Sequence, residues 1–502
     1  MRNVIKPSAV TSAAIVLTAA LLSGCAVGPD YKPSSIVLPI HWSNEKNGQI
    51  VKPADLARWW TRLNDPVLNG LIEDAVSGNL DVASAKAKIR EARATRRQAI
   101  GGLFPTVTGE GAATRSRTAA TSDAGAPVTA NQFQAGFDSS WELDLFGANK
   151  RAVEAASYGV DAADDNLRTT LLTLVGDVAA YYAELRGYQA RIALARRTAK
   201  SQRDTLALTQ RKFEAGSTTA ADVAKAAAVA ATTEADIPTY EASYAAAVHR
   251  LGVLLGLDPA ALVRELRRGA PIPTPRLPLP AGIPANVMSA RPDVRQAERQ
   301  LAQYTAKVGA AEAALYPSVS LTGSVSTTGL NTRDIGRNSS IGWSIGPSLS
   351  VPLFNAGQLR AAVDVAKAQR DQYDVAWRSA VLTALEDVEN ALVSLAQERI
   401  KRRKLDEAVR RYREAARLSH TLFENGSASF LDVLDAERSL YTAEDSLLQS
   451  RVAIATDYVA LAKALGGGWD GAIDSSKPEV VDRNTGPHLM PAVAAQASPA
   501  SE

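Results

Sequence analysis

The sequence predicts a mixed α and β protein built as a tandem repeat, each copy of which carries two strands followed by a long helical hairpin. Three observations support this prediction. A set of short motifs recurs about 210 residues later, some segments alternate apolar and polar residues, and others space their apolar residues as a coiled coil does. A chain of 502 residues could form several compact domains, but the repeat indicates one elongated, duplicated unit.

The repeat consists of four pairs of motifs that keep the same order in both halves of the chain. Their offsets are 212, 208, 210 and 210 residues, and the pairs are Leu103-Phe104-Pro105 with Leu315-Tyr316-Pro317, Asp144-Leu145-Phe146 with Pro352-Leu353-Phe354, Lys212-Phe213-Glu214 with Leu422-Phe423-Glu424, and Leu254-Leu255-Gly256 with Ala464-Leu465-Gly466. We assign the first repeat to residues 81–268 and the second to residues 291–468. The segment 269–290 between them is a Pro-rich linker, because its successive prolines are incompatible with a helix.

Each copy contains two segments with the period of a β-strand, near 106–117 and 132–145 in the first copy and near 318–326 and 341–353 in the second. Their apolar and polar residues alternate, so each strand has two different faces. Such strands occur in soluble sandwiches and in bilayer barrels around water, and the aromatic residues opposite an acidic face favour the barrel. Four strands cannot enclose a lumen, so a barrel requires several copies of the chain.

Long helices follow each pair of strands. From Leu167 onward, and again from Trp377, the apolar residues recur at alternating steps of four and three, which is the spacing of a coiled-coil seam. We predict helical hairpins over residues 148–256 and 356–466. An unbroken first arm would be on the order of 100 Å long.

Residues 1–24 have the features of a lipoprotein signal peptide. Two basic residues precede an apolar run that ends in Leu22-Ser23-Gly24-Cys25, and Cys25 is the only cysteine of the chain. We expect Cys25 to become the lipidated first residue of the mature protein. Ala26, in place of an aspartate, favours the outer membrane of a Gram-negative cell as the place of the lipid anchor.

Composition argues against several other classes of protein. The formal net charge of +3 gives no reason to expect nucleic acid as a partner. Beyond the signal peptide no run of 18 apolar residues could form a membrane-spanning helix. The four histidines show no metal-ligand spacing, and Ser, His and Asp do not cluster. We therefore predict no catalytic residue, no metal and no cofactor, and expect that the chain is not an enzyme.

Motifs in a fixed order along residues 25–470 resemble the TolC-type outer membrane efflux proteins, in particular their lipoprotein, NodT-like branch. They are Cys25-Ala26-Val27-Gly28-Pro29-Asp30-Tyr31, Trp59-Trp60, Asp65-Pro66-Val67-Leu68, Asn79-Leu80-Asp81-Val82 and Ser289-Ala290-Arg291-Pro292-Asp293-Val294. No single motif is specific, but their joint order is. The resemblance assigns residues 25–80 to a lipidated and equatorial segment, and residues 469–502 to an equatorial or disordered tail.

The resemblance implies a homotrimer whose strands form one twelve-stranded outer membrane β-barrel, continued by a long periplasmic α-helical barrel. It also implies a periplasmic membrane-fusion adaptor, an inner membrane pump of the resistance-nodulation-division type and outer membrane lipid as partners. The expected function is a passive duct that conducts drugs or other small molecules from the periplasm to the exterior. Type I protein secretion and a non-conducting coiled-coil surface lipoprotein are the alternatives.

The segment Leu431-Asp432-Val433-Leu434-Asp435-Ala436 resembles the family motif whose two acids line the closed periplasmic entrance. Asp432 and Asp435 lie three residues apart, so they share a helix face. The alternative is that an acid in the first turn complements the helix dipole. Across the repeat Asp432 corresponds to Asp222 but Asp435 to Lys225, so Asp435 is the better candidate for a pore gate.

The turns between the helices of each hairpin resemble the family's adaptor-contacting tips. The candidate contact residues are Gly216, Ser217 and Thr219 in the first hairpin and Gly426, Ser427 and Ser429 in the second. Glycine and hydroxyl residues at such turns also serve as helix caps, so both roles remain open for each side chain.

Overall fold

The computed structural model describes residues 26–33, 36, 38–39, 42, 56–119, 127–275 and 284–477. The expected signal peptide 1–24 and the expected lipidation site Cys25 lie outside these residues. The helices and strands follow in the order α1 Pro66–Gly78, α2 Leu80–Gly101, β1 Thr106–Thr118, β2 Val128–Glu142, α3 Ala148–Glu214, α4 Ala220–Leu254, α5 Val263–Leu266, α6 Pro284–Ala290, α7 Pro292–Ala313, β3 Ser318–Gly329, β4 Ile341–Ser350, α8 Gln358–Glu424 and α9 Phe430–Ala464.

The four strands form one antiparallel sheet in the order β1-β2-β3-β4, so both repeats contribute to the same sheet. Its register places Phe137 beside Val325, which pairs with Trp343, in an apolar row. The neighbouring row runs through Asp138 and Ser324, and successive rows face opposite sides of a sheet. One face is therefore apolar and the other polar. β1 and β4 each leave one edge unpaired among the described residues.

Two strands end earlier than the sequence predicts. β2 ends at Glu142 rather than near residue 145, because Asp144 takes a positive φ of 37° that no strand can contain. β4 ends at Ser350 rather than near 353, and Pro352, just beyond it, has no amide hydrogen with which to extend the ladder. At the other end of the sheet two strands are longer than predicted. β2 begins at Val128 rather than near 132, and β3 runs on to Gly329 rather than ending near 326.

The two hairpins have equal dimensions. α3 and α8 contain 67 residues each, and their returning partners α4 and α9 contain 35 each. The apolar seam predicted from Leu167 onward is buried along α3, and the seam that begins at Trp377 is buried along α8. Within the described part of the chain, no helix is both long enough and apolar enough to cross a membrane.

Each repeat also begins with a helix that the prediction of two strands and a hairpin omits. α2 precedes β1 and packs against α3, and α7 precedes β3 and packs against both α3 and α8. α2 starts where the side chain of Asn79 accepts hydrogen bonds from the amides of Asp81 and Val82, at 2.8 and 3.0 Å. α7 starts with Pro292, whose fixed φ suits a first helical position.

The linker and the tail are more ordered than expected. Residues 284–290 of the linker form α6, after the prolines that exclude a helix; residues 276–283 lie outside the described part of the chain. The prediction of disorder is wrong for residues 469–477. Trp469 stacks on Trp60 with ring centres 5.9 Å apart, and Arg90 donates a 2.8 Å hydrogen bond to the Lys477 carbonyl. The rest of the tail, 478–502, lies outside the described residues.

Candidate functional site at the helical tips

The turns at the far ends of the two hairpins have the same backbone structure. Gly216 and Gly426 have φ angles of 72° and 74°, a conformation that glycine adopts without strain. The amides of Ser217 and Ser427, which follow them, each donate a 2.8 Å hydrogen bond to a carbonyl in the last turn of the preceding helix. This is the glycine-terminated helix end that the sequence suggests, and it occurs in both repeats.

The returning helices begin with matching capping boxes. The Thr219 side chain accepts from the Asp222 amide, and the Asp222 carboxylate accepts from the Thr219 amide at 3.2 Å. Ser429 and Asp432 repeat the arrangement at the start of α9. These hydrogen bonds lower the pKa of Asp222 and of Asp432, since they stabilise the ionised carboxylate. Asp432 therefore has a structural partner, and the duplicated acid is a helix cap in both hairpins.

Asp435 differs from Asp432 in this respect. Its side chain is exposed on the first turns of α9, and it makes no hydrogen bond or ion pair with any residue that the structure describes. Its carboxylate is thus available to the space beyond the protomer. The structure brings Asp432 and Asp435 together on one helix, but only Asp435 is without a local function.

The hydroxyl groups of the tips also differ between the repeats. Ser217 donates from its side chain to the Lys212 carbonyl at 2.9 Å, which closes the end of α3. The hydroxyl of Ser427 has no partner among the described residues. Of the six tip residues, Ser217, Thr219 and Ser429 thus serve as caps through their side chains, and Gly216 and Gly426 shape the turns.

A polar contact that sequence reasoning missed joins the two hairpins near the tips. His420 on α8 contacts the Glu437 carboxylate on α9 at 2.6 Å, and Thr205 on α3 donates to the same oxygen at 3.2 Å. Glu437 is nearly buried and His420 is 30% exposed, so this contact is partly shielded from water. The hydrogen bond with Glu437 raises the pKa of the His420 imidazole. Spacing along the chain could not reveal it, because Thr205 lies in the other repeat.

Further contacts hold the second hairpin to the first. Arg191 forms a two-pronged ion pair with Asp445 at 2.6 and 3.0 Å, and Tyr441 donates to Asp236 at 2.9 Å. Lys212 donates to the Phe423 carbonyl and lies 4.2 Å from the centre of the Phe423 ring. The two hairpins are therefore tied together, so a movement of one against the other must break several polar contacts.

No group of three or more His, Cys, Asp or Glu side chains in the described ranges is placed to hold a metal ion. His420 pairs with Glu437 rather than with a second possible ligand.

The chain is similar to known proteins over most of its length. A family model described as outer membrane efflux protein matches residues 71–257 and 283–467. Nodulation protein T of Rhizobium leguminosarum bv. trifolii is 38% identical, and the match covers 90% of this chain and 96% of the relative. The cation efflux system protein CusC of Escherichia coli O6:H1 is 31% identical, with 89% and 96% covered.

A solved structure of the outer-membrane channel OprN is similar in shape as well as in sequence. It superposes with a TM-score of 0.84 at 35% identity, and the match covers 89% of this chain and all of that one. From the family model, the relatives and this structural similarity, the chain belongs to the outer membrane efflux protein family.

Proposed function

We propose that the chain forms the outer membrane duct of a tripartite efflux assembly, as a homotrimer that conducts small molecules from the periplasm to the exterior. Membership of the efflux family supports this function over a non-conducting surface lipoprotein. The relative named as cation efflux system protein CusC is similar to this chain over 89% of its length. The duct's own cargo is a small molecule or ion selected by its inner membrane pump.

The open sheet carries the proposal of a trimer. β1 and β4 have free edges in the described protomer, and unpaired edges of 13 and 10 residues would join other strands readily. On the apolar face Phe137 is 62% exposed and Trp343 75% exposed, as suits side chains that meet lipid. Strands of 10 to 15 residues are long enough to cross the hydrocarbon core. Three protomers would give twelve strands with the polar face inward.

The tips carry the proposal of an entrance. Asp435 is an exposed carboxylate without a partner in the described protomer, and three symmetry-related copies would form an acidic, cation-attracting ring. Asp432 would add to the negative potential while it caps α9. The contacts around Glu437 would hold this ring narrow, because they tie α8 and α9 to α3.

The tip turns are proposed as the contact surface for a periplasmic adaptor, which would link the duct to an inner membrane pump of the resistance-nodulation-division type. Gly216 and Gly426 leave small, smooth turns, and the free hydroxyl of Ser427 could bond a partner. Cys25 is proposed as the lipid attachment site, on the strength of the signal peptide motif alone.

Disulfide cross-linking between neighbouring protomers tests the trimer. Cysteines would be placed in pairs, one on β1 and one on β4, in a Cys25→Ser background, and oxidised in intact cells. If β1 of one chain pairs with β4 of the next, at least one register gives covalent trimers and no larger product. Absence of cross-linked species at every register would contradict the proposal. Pairs placed on β2 and β3, which already have two neighbours each, serve as the control.

A further inference from the structure

The first described residues of the mature chain, 26–30, run over the junction between the sheet and the helices. The Val27 amide donates to the Phe146 carbonyl at 3.1 Å, just after β2 has ended. Tyr31 continues the contact by donating to Glu298 on α7 at 2.9 Å. This segment therefore contacts both repeats, and its Val27 contact lies where strands give way to helices.

A buried arginine side chain binds the main chain of this segment. Arg151, in the first turn of α3, has a side chain that is 5% exposed. It donates to the carbonyls of Val27 and Gly28, at 3.2 Å each, and to the Asp30 carboxylate at 2.7 Å. Its remaining ion pair is with Glu154 on its own helix, at 2.7 Å. Most of the partners that compensate the burial of this charge therefore come from the N-terminal segment.

Three glycines allow the backbones to approach each other here. A Cβ on Gly28 would overlap the Cα of Gly309, and a Cβ on Gly147 would lie 2.8 Å from the Cα of Ala26. A Cβ on Gly309 would lie 2.9 Å from the Arg151 Nε. Gly28 and Gly147 also have φ angles of 93° and 81°, which strain other residues. The space between these segments therefore admits backbone atoms but no side chain at the three glycine positions.

The contact between Arg151 and residues 26–30, which we call the dock, lies at the level of a belt of exposed apolar side chains. Phe104 comes two residues before β1, and Leu353 and Phe354 come shortly after β4. Their side chains are 62%, 90% and 89% exposed in the protomer. Aromatic and apolar residues at the ends of membrane strands match the boundary between acyl chains and headgroups. The segment is thus held where a bilayer surrounding the sheet would end.

We propose that Arg151 is the docking residue that fixes residues 26–30 at this junction and so sets the depth at which a lipid on Cys25 enters the membrane. This rests on the proposed lipidation of Cys25. Arg151 acts through the N-terminal segment and touches no transported molecule, so it is a positioning residue. A lipid held in this way is part of the barrel's membrane contact, rather than a tether at the end of a free chain.

Amide exchange of the full-length protein in detergent tests the dock. In the wild type the peptide that covers residues 26–31 should exchange slowly at Val27, whose amide donates to the Phe146 carbonyl. Arg151→Met and Gly28→Val should each speed its exchange roughly tenfold or more, because each removes the segment's fit. Lys150→Met, at the exposed neighbouring position, is the matched control and should leave exchange unchanged. Slow exchange in both dock variants, with the sheet folded, would overturn the proposal.

Two further measurements separate this proposal from lipidation. Incorporation of labelled palmitate should be the same in the wild type and in Arg151→Met, since the lipid is attached before the segment docks. Absence of label in the wild type would contradict the lipidation of Cys25. It would also contradict the role of Arg151 in setting the depth of that lipid in the membrane. In the lipidated protein Arg151→Met should reduce assembly of the heat-modifiable barrel several-fold relative to the wild type. In a Cys25→Ser background, which has no lipid, adding Arg151→Met should cause no further loss of assembly. Equal reduction in both backgrounds would make Arg151 a general folding residue and overturn its link to the lipid.

Discussion

Ser429 and Asp432 cap each other at the start of α9, with the Asp432 carboxylate accepting from the Ser429 amide at 3.0 Å and from its hydroxyl at 2.8 Å. Thr219 and Asp222 repeat this pairing in the first hairpin, at 3.2 and 2.7 Å. The two acids of the predicted gate motif therefore have different roles. Asp432 forms part of the helix start, whereas Asp435 has a free carboxylate.

Loss of the cap should loosen the tip. Ser429→Ala removes the side-chain acceptor of the capping box, and such a loss typically costs about 1 kcal/mol. We expect amide exchange in the first turn of α9 to rise roughly fivefold, with the sheet unaffected. Thr219→Ala should act equally on α4. Unchanged exchange in both variants would show that the caps contribute nothing to the tips.

Neutralising Asp435 should change ion selection without changing stability. In planar bilayers the Asp435→Asn channel should lose much of its cation preference, because three carboxylates leave the proposed ring. Its thermal midpoint should equal that of the wild type, since the side chain has no partner among the described residues. Asp432→Asn, which keeps the capping geometry, should have the smaller effect. Equal cation preference in wild type and Asp435→Asn would remove the ring from the account.

The tips should open more readily as the pH rises. The Glu437 carboxylate raises the pKa of His420 above its ordinary 6.5, so the contact stabilises the tip fully below about pH 6.5 and is lost as the pH rises through the raised value. The charge of Glu424 raises the pKa of His420 in the same direction. Amide exchange at the ends of α8 and α9 should therefore quicken between pH 6 and 8.5, after correction for intrinsic rates.

His420→Gln is the control for this pH effect. It retains a hydrogen-bond donor but cannot become charged, so its corrected exchange should show no step over the same range. A wild-type profile as flat as that of His420→Gln would contradict the role of this pair.

A bulky charge at Ser427 should disrupt adaptor binding. The hydroxyl has no partner among the described residues and Ser427 follows the exposed turn, so Ser427→Arg should fold normally. We expect it to weaken binding of the purified adaptor roughly tenfold or more, measured by biolayer interferometry. Ser427→Ala should bind nearly as the wild type does. If Ser427→Arg binds as tightly as Ser427→Ala, the adaptor contacts another surface.

Much of the fold was accessible from the sequence because it is strongly periodic. The heptad seams predicted the long helices of both hairpins, and the structure has them as α3 and α8. The alternation of apolar and polar residues predicted the two-faced strands. α2 and α7 were missed, although Asn79 and Pro292 are ordinary helix-start residues, because both helices are rich in Ala and carry few large apolar residues.

The site was accessible only where the repeat could be used. Comparison of Asp432 with Asp222 correctly suggested a capping acid. The contact of His420 and Thr205 with Glu437, and that of Arg151 with Asp30, depend on helix packing between distant segments. No local pattern encodes such contacts, since each residue alone resembles an ordinary solvated polar residue.

Native mass spectrometry of the full-length protein released from detergent micelles, combined with single-channel recording of the same sample, tests the central claim most directly. The account predicts one species with the mass of three chains, and discrete conductance steps after reconstitution. A stable monomer that gives no conductance would contradict it.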